Sequence, residues 1–431
     1  MARGLTDTEA AAGARLMSRL DAFAAFTDET GKLTRLFLSD AHRRAAAEYI
    51  GWCVEAGLKA RIDAAGNIVA RYEGKQAGAQ ALMLGSHIDT VRDAGRYDGN
   101  YGALAALAVV EQLDAKGERL DHAVEIVAFG DEEGVRHRTT LTGSRALAGT
   151  YPKEALDQKD AAGIAMRDAL KAFGGDPDKA ASIRAENIAA FVEAHIEQGP
   201  VLEAEGLPLG VVTAINGATR LEVGVDGMAG HAGATPMALR RDALTAAAEM
   251  ALAIERRARA EPDLVATVGR LEVWPGAANV IPGIVRFSVD VRAPSDSQRA
   301  ASLAEMRASL DAIGKERGVR VSVAVTHEAN AFACDPRIVA GLKRTVEGLG
   351  IPPRLMPSGA GHDTMAIGAL CPAGMLFVRC KGGISHNPLE SITLQDCAYG
   401  LAALTRFVRE FRLDRATAYP SPLDLAGWQV G

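Results

Sequence analysis

The sequence predicts an α/β protein in which a smaller α+β unit is inserted into a larger domain. Apolar stretches such as Ala81–Leu84 and Val124–Phe129 are typical of buried strands, and helical stretches alternate with them at both ends of the chain. Between residues 217 and 329 the order changes to β-α-β-β-α-β, the split ferredoxin-like arrangement. A length of 431 residues suits roughly two or three domains. We predict a catalytic domain in two parts, 1–216 and 331–431, around an inserted domain at 217–330.

Spacing of apolar residues predicts the elements in chain order. The first part is expected to hold helices over Leu16–Phe26, His42–Ala56 and Tyr101–Leu113, a hairpin over Leu58–Ala64 and Asn67–Tyr72, and a mostly helical region over Lys153–Asn187. The inserted domain is expected to hold strands over Arg220–Val225, Val265–Val273, Val285–Val291 and Arg320–Val325, with helices over Ala238–Arg257 and Ser295–Lys315. The last part predicts a strand over Met375–Val378 and a helix over Thr393–Phe411.

Composition and charge exclude several classes of function. The formal charge of −6, without a long basic run, argues against a nucleic-acid partner. The longest apolar run, Ala103–Val110, is too short to span a bilayer, and Met1–Ala10 has no apolar signal core. Five scattered cysteines without a C-x-x-C pair are typical of reduced thiols. We therefore predict a soluble, cytoplasmic protein with no membrane partner.

Polar side chains follow two predicted strands at the point where each ends. His87, Asp89 and Asp98 come after the first strand, and Glu132 and Glu133 come after the second. In open α/β sheets this edge is where ligands bind. One imidazole and several carboxylates suit a divalent ion such as Zn²⁺ or Mn²⁺. His-x-Asp alone is a weak signal that a solvated loop could also explain, but together the acidic residues at matching strand ends favour a metal site.

A third stretch adds another imidazole. Alternation over residues 191–200 places Glu193, His195 and Glu197 on one face of a strand, and Gln198 follows. A strand holds an imidazole rigidly, which suits a ligand, but a histidine in such a strand, taken alone, is more often an ordinary buried one.

Seven motifs occur in one order along the chain, beginning with Gly-Ser-His-x-Asp-Thr at residue 85. The others are Tyr-Asp-Gly, Asp-Glu-Glu-Gly-Val-Arg, His-Ile-Glu-Gln-Gly, Gly-His-Ala-Gly, Ser-Gly-Ala-Gly-His-Asp and Gly-Ile-Ser-His-Asn-Pro. Together they resemble the amidase and carbamoylase branch of the di-metal aminoacylase and carboxypeptidase clan, over about residues 15–411. Within that branch, Asp131–Arg136 and Leu376–Gly383 look most like allantoate amidohydrolases. The resemblance implies a mixed-sheet, di-metal exopeptidase-like catalytic domain with an inserted lid and dimerisation domain.

The resemblance also assigns the metal ligands. It implies that His87, Asp98 and His195 hold one ion and that Asp98, Glu133 and His386 hold the other, with Asp98 shared. A shared carboxylate is the usual way to keep two ions about 3.5–4 Å apart. The ions would be Zn²⁺ or Mn²⁺, with Co²⁺ or Ni²⁺ as further possibilities.

Catalytic and supporting roles follow from the same resemblance. Glu132 would be the general base, although a helix-capping carboxylate is the alternative. Asp89 would orient His87 through its second ring nitrogen. His231 would stabilise the oxyanion, and in relatives this histidine reaches the partner subunit's site, so a homodimer is implied. The substrate would be held by Asn279, Arg292, Gln198 and the backbone of Gly359, Ala360 and Gly361.

The hypothesis for function is hydrolysis of a ureido C–N bond in a small carboxylate, with allantoate as the first substrate. Alternatives are an N-carbamoyl-L-amino acid hydrolase, a di-metal aminopeptidase or dipeptidase, and a non-catalytic dimeric binding protein. One position departs from the family pattern, because His137 stands where relatives often carry Phe, just beyond the predicted metal-binding loop.

Overall fold

The computed structural model describes residues 4–413. The helices in this range are α1 (Asp7–Phe23), α2 (Asp40–Glu55), α3 (Asn100–Asp114), α4 (Thr142–Leu147), α5 (Met166–Phe173), α6 (Val201–Ala204), α7 (Ala243–Arg259), α8 (Asp296–Arg317), α9 (Pro336–Gly348), α10 (Asp363–Ile367) and α11 (Leu394–Glu410). The strands are β1 (Lys59–Ile62), β2 (Ile68–Tyr72), β3 (Ala81–His87), β4 (Ala123–Phe129), β5 (Ile188–Ile196), β6 (Leu209–Ile215), β7 (Gly217–Asp226), β8 (Gly230–His231), β9 (Val265–Trp274), β10 (Val280–Ile281), β11 (Ile284–Ala293), β12 (Arg320–Ala329), β13 (Phe332–Ala333), β14 (Arg354–Ser358) and β15 (Ala373–Val378).

The described chain divides into two compact units. The first contains the residues up to Gly210, Ala340–Arg354 and the residues from Ala366 onward. The second contains Val211–Val339 and Leu355–Met365.

A mixed sheet forms the centre of the first unit. The strands that this unit contributes to the sheet follow the order β1-β2-β4-β3-β5-β15. The β1–β2 pair is antiparallel, as expected for the predicted hairpin. The β2–β4 pair is also antiparallel, whereas β3–β4, β3–β5 and β5–β15 are parallel. All residues of β3 and β15 are buried, which explains why these strands are apolar runs without alternation. Fold class and sheet type therefore agree with the prediction.

Helix α3 packs against this sheet and is buried over most of its length. Ala, Leu and Val fill the helix, and twelve of its residues are buried, so it is apolar on nearly every side. Its first turn follows Asp98 and Gly99 directly, so the packing of α3 determines where that carboxylate lies. Burial of the helix is thus coupled to the geometry of the acidic turn at its N-terminus.

The second unit contains a four-stranded antiparallel sheet in the order β12-β7-β11-β9. Strands and helices follow the chain order β7-α7-β9-β11-α8-β12, which is the predicted β-α-β-β-α-β pattern. Its core is made by inward residues of the sheet, such as Val223 and Phe287, packed with helix residues such as Met250 and Leu310. The short pair β8–β10 lies outside that sheet.

Three element predictions were wrong in their extent. Helix α1 begins at Asp7 instead of Leu16 and ends at Phe23 instead of Phe26, because Thr6 and Glu9 form a capping box at its start. The region over residues 153–187 is not mostly helical, because it contains a 3-10 turn over Lys153–Asp157 and the short α5, which Gly174 ends in a left-handed conformation. Helix α7 begins later than predicted, at Ala243, because the carboxylate of Asp242 caps it by accepting from the backbone N–H groups of Leu244 and Thr245.

The five cysteines, Cys53, Cys334, Cys371, Cys380 and Cys397, are buried free thiols, as the sequence predicts. Within residues 4–413, no helix combines the length and apolar character that crossing a membrane requires.

His42 links folding to pH. The ring is completely buried, accepts from the Leu38 N–H at Nδ1 (3.0 Å) and stacks on Phe173 at 4.8 Å. Burial, assisted by nearby Arg35 and Arg136, lowers the pKa of His42 to about 3. A protein that holds a histidine neutral in its folded state loses stability as the pH falls below the unfolded-state pKa of that histidine, which is about 6.5. The loss continues until the pH reaches the folded-state pKa of about 3.

We therefore expect His42 to reduce the free energy of unfolding by about 2 kcal/mol between pH 7.5 and pH 5. Urea unfolding at both pH values isolates this effect as the difference between two proteins, since all other titrating groups are common to them: between pH 7.5 and pH 5 the wild type should lose about 2 kcal/mol more than His42→Asn. His327→Asn, which changes an exposed ring, serves as the control and should retain the wild-type pH dependence. An unchanged pH dependence in His42→Asn would contradict the assignment.

Candidate metal centre

The predicted ligands of the first unit lie at one edge of its sheet. His87 is the last residue of β3, and His195 is the last but one of β5. Glu132 and Glu133 follow the end of β4, and His386 follows β15. Since β4, β3, β5 and β15 run parallel to one another, their carboxyl ends meet at the same edge. The topology therefore brings these side chains together from positions far apart in the chain.

Asp98 is the centre of this cluster. Its Oδ1 lies 3.1 Å from Nε2 of His195 and 3.5 Å from Nε2 of His87. Its Oδ2 lies 3.1 Å from Nε2 of His386. The following residue, Gly99, has a φ of 63°, and an added Cβ there would collide with the His87 ring, so only glycine permits this close approach. One buried carboxylate thus faces three imidazoles.

Four groups of possible metal-ligand atoms occur among the described residues, and two of them share Asp98. Within each group the atoms lie within 4.8 Å of one another, and the two that share Asp98 are His87 with Asp98 and His195, and Asp98 with Glu133 and His386. These sets coincide with those that the sequence resemblance implies. In addition, Oε1 of Glu133 is buried and has no hydrogen-bond partner among the described residues. A buried carboxylate oxygen without a donor is costly unless a cation occupies its vicinity.

Hydrogen bonds at the far side of two rings fit the same interpretation. Nδ1 of His87 lies 3.0 Å from the carbonyl oxygen of Asp89, and Nδ1 of His195 lies 2.9 Å from that of Ile196. A neutral imidazole that donates from Nδ1 carries a lone pair at Nε2. Both Nε2 atoms face Asp98, so lone pairs and carboxylate oxygens point at each other. This donor set fits divalent ions placed between imidazole and carboxylate.

The pKa values show how negative the cluster is. Burial lowers the pKa of His87, but its hydrogen bond to Asp98 and the nearby carboxylates more than compensate and raise it well above its usual value. The hydrogen bond to Asp98 raises the pKa of His386 to about 9. Burial, followed by repulsion from Asp98, raises the pKa of Glu133 to about 7. The same negative field that favours protonated imidazoles attracts a divalent cation, which then competes with those protons.

Asp89 supports the cluster differently from the prediction. Its carboxylate oxygen lies 3.8 Å from Nδ1 of His87, beyond hydrogen-bond distance, so the carbonyl oxygen orients that ring instead. The carboxylate accepts from the backbone N–H groups of Glu132 (3.2 Å) and Glu133 (3.3 Å). The side chain is used in this way because the turn after β4 presents two amides to it. Asp89 therefore orients one ligand and holds the turn that carries the predicted base.

The sequence prediction missed Glu390, a buried carboxylate that braces Asp98. Its Oε1 accepts from the backbone N–H groups of Tyr97 (2.7 Å) and Asp98 (3.1 Å). Ser385 Oγ lies 2.9 Å from Glu390 and 2.9 Å from Asp98 Oδ2, so it connects the two carboxylates. Glu390 is the fourth residue after His386, but a single acidic residue in a loop carries no pattern that would have singled it out.

Gln198 lies within the cluster. Its backbone has a φ of 58°, and its Nε2 donates to Asp98 Oδ2 at 2.9 Å. Its Oε1 is buried and has no hydrogen-bond partner within residues 4–413. The predicted role in binding substrate stays a prediction, and the unpaired amide oxygen is an acceptor available for an N–H donor.

The remaining predicted substrate contacts lie in the second unit, where His231 and Asn279 are neighbours. Strands β8 and β10 pair His231 with Val280, and the N–H of Ala232 donates to the carbonyl of Asn279 at 3.0 Å. The Gly233 N–H donates to Nδ1 of His231 at 3.1 Å. A neutral His231 must then carry its proton on Nε2, which is the tautomer that an oxyanion donor needs.

Arg292 is joined to the glycine-rich turn of the same unit. Its Nη1 donates to the carbonyl of Gly359 at 2.8 Å, and its Nε donates to Asp290 at 2.8 Å. It is therefore a half-buried, hydrogen-bonded arginine and not a free surface residue. The assignments of Arg292, Ala360 and Gly361 to substrate binding stay predictions.

His137, the departure from the family pattern, is completely buried in the loop that follows Glu133. Burial, with a contribution from Arg136, lowers its pKa. Neighbouring Asp131 is also buried and accepts from Thr139 (2.8 Å) and Thr142 (2.6 Å). An effect of His137 on the substrate would therefore act through the packing of this loop.

Known proteins resemble this chain both in sequence and in structure. The sequence profile described as peptidase family M20/M25/M40 matches residues 83–410. The chain is 42% identical over 377 residues to an N-carbamoyl-L-amino acid amidohydrolase of Geobacillus stearothermophilus, covering 87% of this chain and 92% of that protein. It is 41% identical over 429 residues to an allantoate deiminase of Arabidopsis thaliana, covering 90% and 80% respectively. A crystal structure of an amidase of the hydantoinase/carbamoylase family from Burkholderia multivorans matches with a TM-score of 0.87 and 34% identity, over 92% of this chain and 97% of that one.

Proposed function

Because this chain belongs to peptidase family M20/M25/M40, we propose that it is an amidohydrolase that cleaves a ureido C–N bond of a small carboxylate. The observation that carries this proposal is Asp98, which is shared by two adjoining ligand groups at one sheet edge. Allantoate is the first substrate proposed, with ureidoglycine, ammonia and carbon dioxide as products. The segments over residues 131–136 and 376–383, whose sequences resemble those of allantoate amidohydrolases, support this choice.

We propose that His87, Asp98 and His195 hold one divalent ion and that Asp98, Glu133 and His386 hold the other, as Zn²⁺ or Mn²⁺ with Co²⁺ or Ni²⁺ as alternatives. When bound, such a pair of ions acidifies water and polarises a carbonyl group. The five buried thiols support a cytoplasmic location, where thiols stay reduced.

The proton is moved by Glu132 in this proposal. Its backbone is tied to Asp89, and its carboxylate lies within 4.8 Å of the ligand atoms of His87 and Glu133. Glu132 would accept a proton from the attacking water and deliver it to the leaving nitrogen. One water molecule is consumed for each ureido group that is cleaved. Its carbamoyl part leaves as ammonia and carbon dioxide, and its inner nitrogen stays on the product as an amino group.

The resemblance supports assigning the substrate contacts to four side chains. Arg292 and Asn279 would bind the carboxylate, because a guanidinium grips both of its oxygens. The amide oxygen of Gln198 would accept from a ureido N–H group, and Nε2–H of His231 would donate to the developing oxyanion. The lid and dimerisation role of the second unit is part of this proposal.

The function is tested by reloading metal-free protein with Mn²⁺, Zn²⁺, Co²⁺ or Ni²⁺ and measuring ammonia release and new amino groups. We expect ammonia from allantoate. Ammonia from an N-carbamoyl-L-amino acid and not from allantoate would favour a carbamoylase. The similarity to the Geobacillus N-carbamoyl-L-amino acid amidohydrolase supports this alternative. New amino groups from a dipeptide without ammonia would favour a peptidase, and no reaction with any substrate and metal would favour a binding protein.

We propose a homodimer in which His231 serves the site of the partner subunit. The side chains of Val265, Leu271 and Trp274 on β9, an outer strand of the four-stranded sheet, are exposed and apolar, which supports association through this unit. His231 itself is exposed.

Mixing two inactive variants tests the shared site. Glu132→Gln and His231→Ala dimers, equilibrated together, should recover about a quarter of wild-type activity, because half of the dimers are mixed and each has one intact site. Two batches of Glu132→Gln mixed in the same way are the control. Recovery no greater than in that control would contradict a site completed by the partner.

A further inference from the structure

Arg35 is a completely buried arginine between α1 and α2. Its guanidinium donates four hydrogen bonds to neutral oxygens. Nε reaches the carbonyl of Ile88 (2.7 Å), Nη1 reaches those of Phe23 (2.8 Å) and Phe26 (3.3 Å), and Nη2 reaches Oδ1 of Asn100 (2.6 Å). Burying a charge in this way is costly, so the contacts it makes must compensate for the lost hydration.

Two of these contacts reach the segments that carry metal ligands. Ile88 directly follows His87, the last residue of β3, and Asn100 is two residues beyond Asp98. The backbone of Arg35 adds a reciprocal pair with Thr90, in which its N–H donates to Thr90 Oγ1 and its carbonyl accepts from the Thr90 N–H, both at 2.9 Å. One side chain thus joins the loop after β3 to the first turn of α3.

The third contact anchors the guanidinium at the end of α1. The carbonyl of Phe23 belongs to the last turn of that helix, where the helix dipole favours a positive charge. The Phe23 ring lies 4.3 Å from the guanidinium carbon, a cation–π contact. Burial lowers the pKa of Arg35 to about 9, opposed by Asp89 and Asp28, so the group is charged at neutral pH.

We propose that Arg35 is a positioning residue of the metal centre. Its guanidinium donates to Ile88 and Asn100 at once and so sets the spacing between the loop that follows His87 and the turn that contains Asp98. Lysine would keep the charge but could not reach Ile88, Phe23 and Asn100 together, since its donors lie on a single nitrogen. The inference rests on the metal binding in the proposed function, and not on the identity of the substrate.

The test measures metal affinity without substrate. Metal-free Arg35→Lys is titrated with Zn²⁺ in competition with a chromogenic chelator, after circular dichroism has shown native secondary structure. We expect its affinity to fall by about 10–100-fold, the usual effect of removing a group that orients ligands. Arg299→Lys is the matched control, because Arg299 is a buried arginine of the second unit that bonds Thr219 and Asp296. It should lose thermal stability and keep wild-type affinity.

A second variant keeps the proposal testable if Arg35→Lys does not fold. Asn100→Ala removes one acceptor of the guanidinium and leaves Arg35 in place, and we expect it to weaken Zn²⁺ binding as well. Both changes remove the same hydrogen bond, the one between Arg35 and Asn100. The double variant should therefore bind Zn²⁺ with about the same affinity as the single variant that binds it less tightly. Wild-type affinity in the folded single variants, or fully additive losses, would overturn the proposal. If the variants bind Zn²⁺ like the wild type and the metal-loaded wild type acts on no ureido substrate, both this proposal and the proposed function fail. If the variants bind Zn²⁺ more weakly and the wild type acts on no ureido substrate, only the proposed function fails.

Discussion

Replacing Glu132 with glutamine should leave the metal content of the protein unchanged and lower kcat by about 10²–10⁴-fold, the range that general base catalysis contributes. Glutamine keeps the shape of the side chain, and the backbone N–H of residue 132 still donates its hydrogen bond to the Asp89 carboxylate. The amide of glutamine, however, cannot take up a proton. Metal content is measured by elemental analysis after dialysis, and kcat is measured by ammonia release.

A change of the same type elsewhere in the unit provides the control. Glu125 lies on β4, close to Arg71, and Glu125→Gln should retain both metals and wild-type kcat. If Glu132→Gln turned over substrate at the wild-type rate, the base would have to be another group. If it lost its metals, Glu132 would be acting as a ligand.

Replacing Asp98 with asparagine should have the largest effect, because both metal groups share this carboxylate. An amide carries no charge to offset the two cations, so both should be bound much more weakly. Bound metal supplies several kcal/mol of transition-state stabilisation, and we expect activity to fall by about 10³-fold or more. Metal content after dialysis against a weak chelator, followed by kcat/KM at a fixed metal concentration, measures both effects.

Asp63→Asn is the matched control for this change. Asp63 is a buried aspartate that accepts from Ala65 and Asn67 in the turn between β1 and β2. Its replacement should lower thermal stability and leave metal content as in the wild type. Retention of both ions by Asp98→Asn would contradict the shared-carboxylate arrangement, whatever its activity.

Much of the fold could be predicted from the sequence, and the residues predicted to be metal ligands do lie close together. The apolar runs before His87 and Glu132 predicted strands, and the structure confirms them as β3 and β4. The prediction for residues 153–187 was wrong, because alanine and charged residues favour helix while Gly174 and its neighbours interrupt it. Local propensity therefore served well where burial supports it and poorly in a connecting region.

The supporting residues were beyond reach of the sequence. Nothing local to Arg35 or Glu390 indicates that one spans from α1 to α3 or that the other accepts from the backbone of Asp98. Asp89 was expected near His87, yet only the structure shows that its carboxylate turns to the amides of residues 132 and 133.

By itself the sequence determined which residue types stand at the ends of the strands, and hence the chemistry available to the chain. The tertiary structure alone decided that His386 meets Asp98, although 287 residues lie between them in the sequence, and which atoms face each other there. The physical reason is that strand periodicity and apolar runs act over a few residues. A hydrogen bond between distant segments depends on how the strands pair and how the helices pack. The local pattern of residue types does not specify which distant segments come into contact.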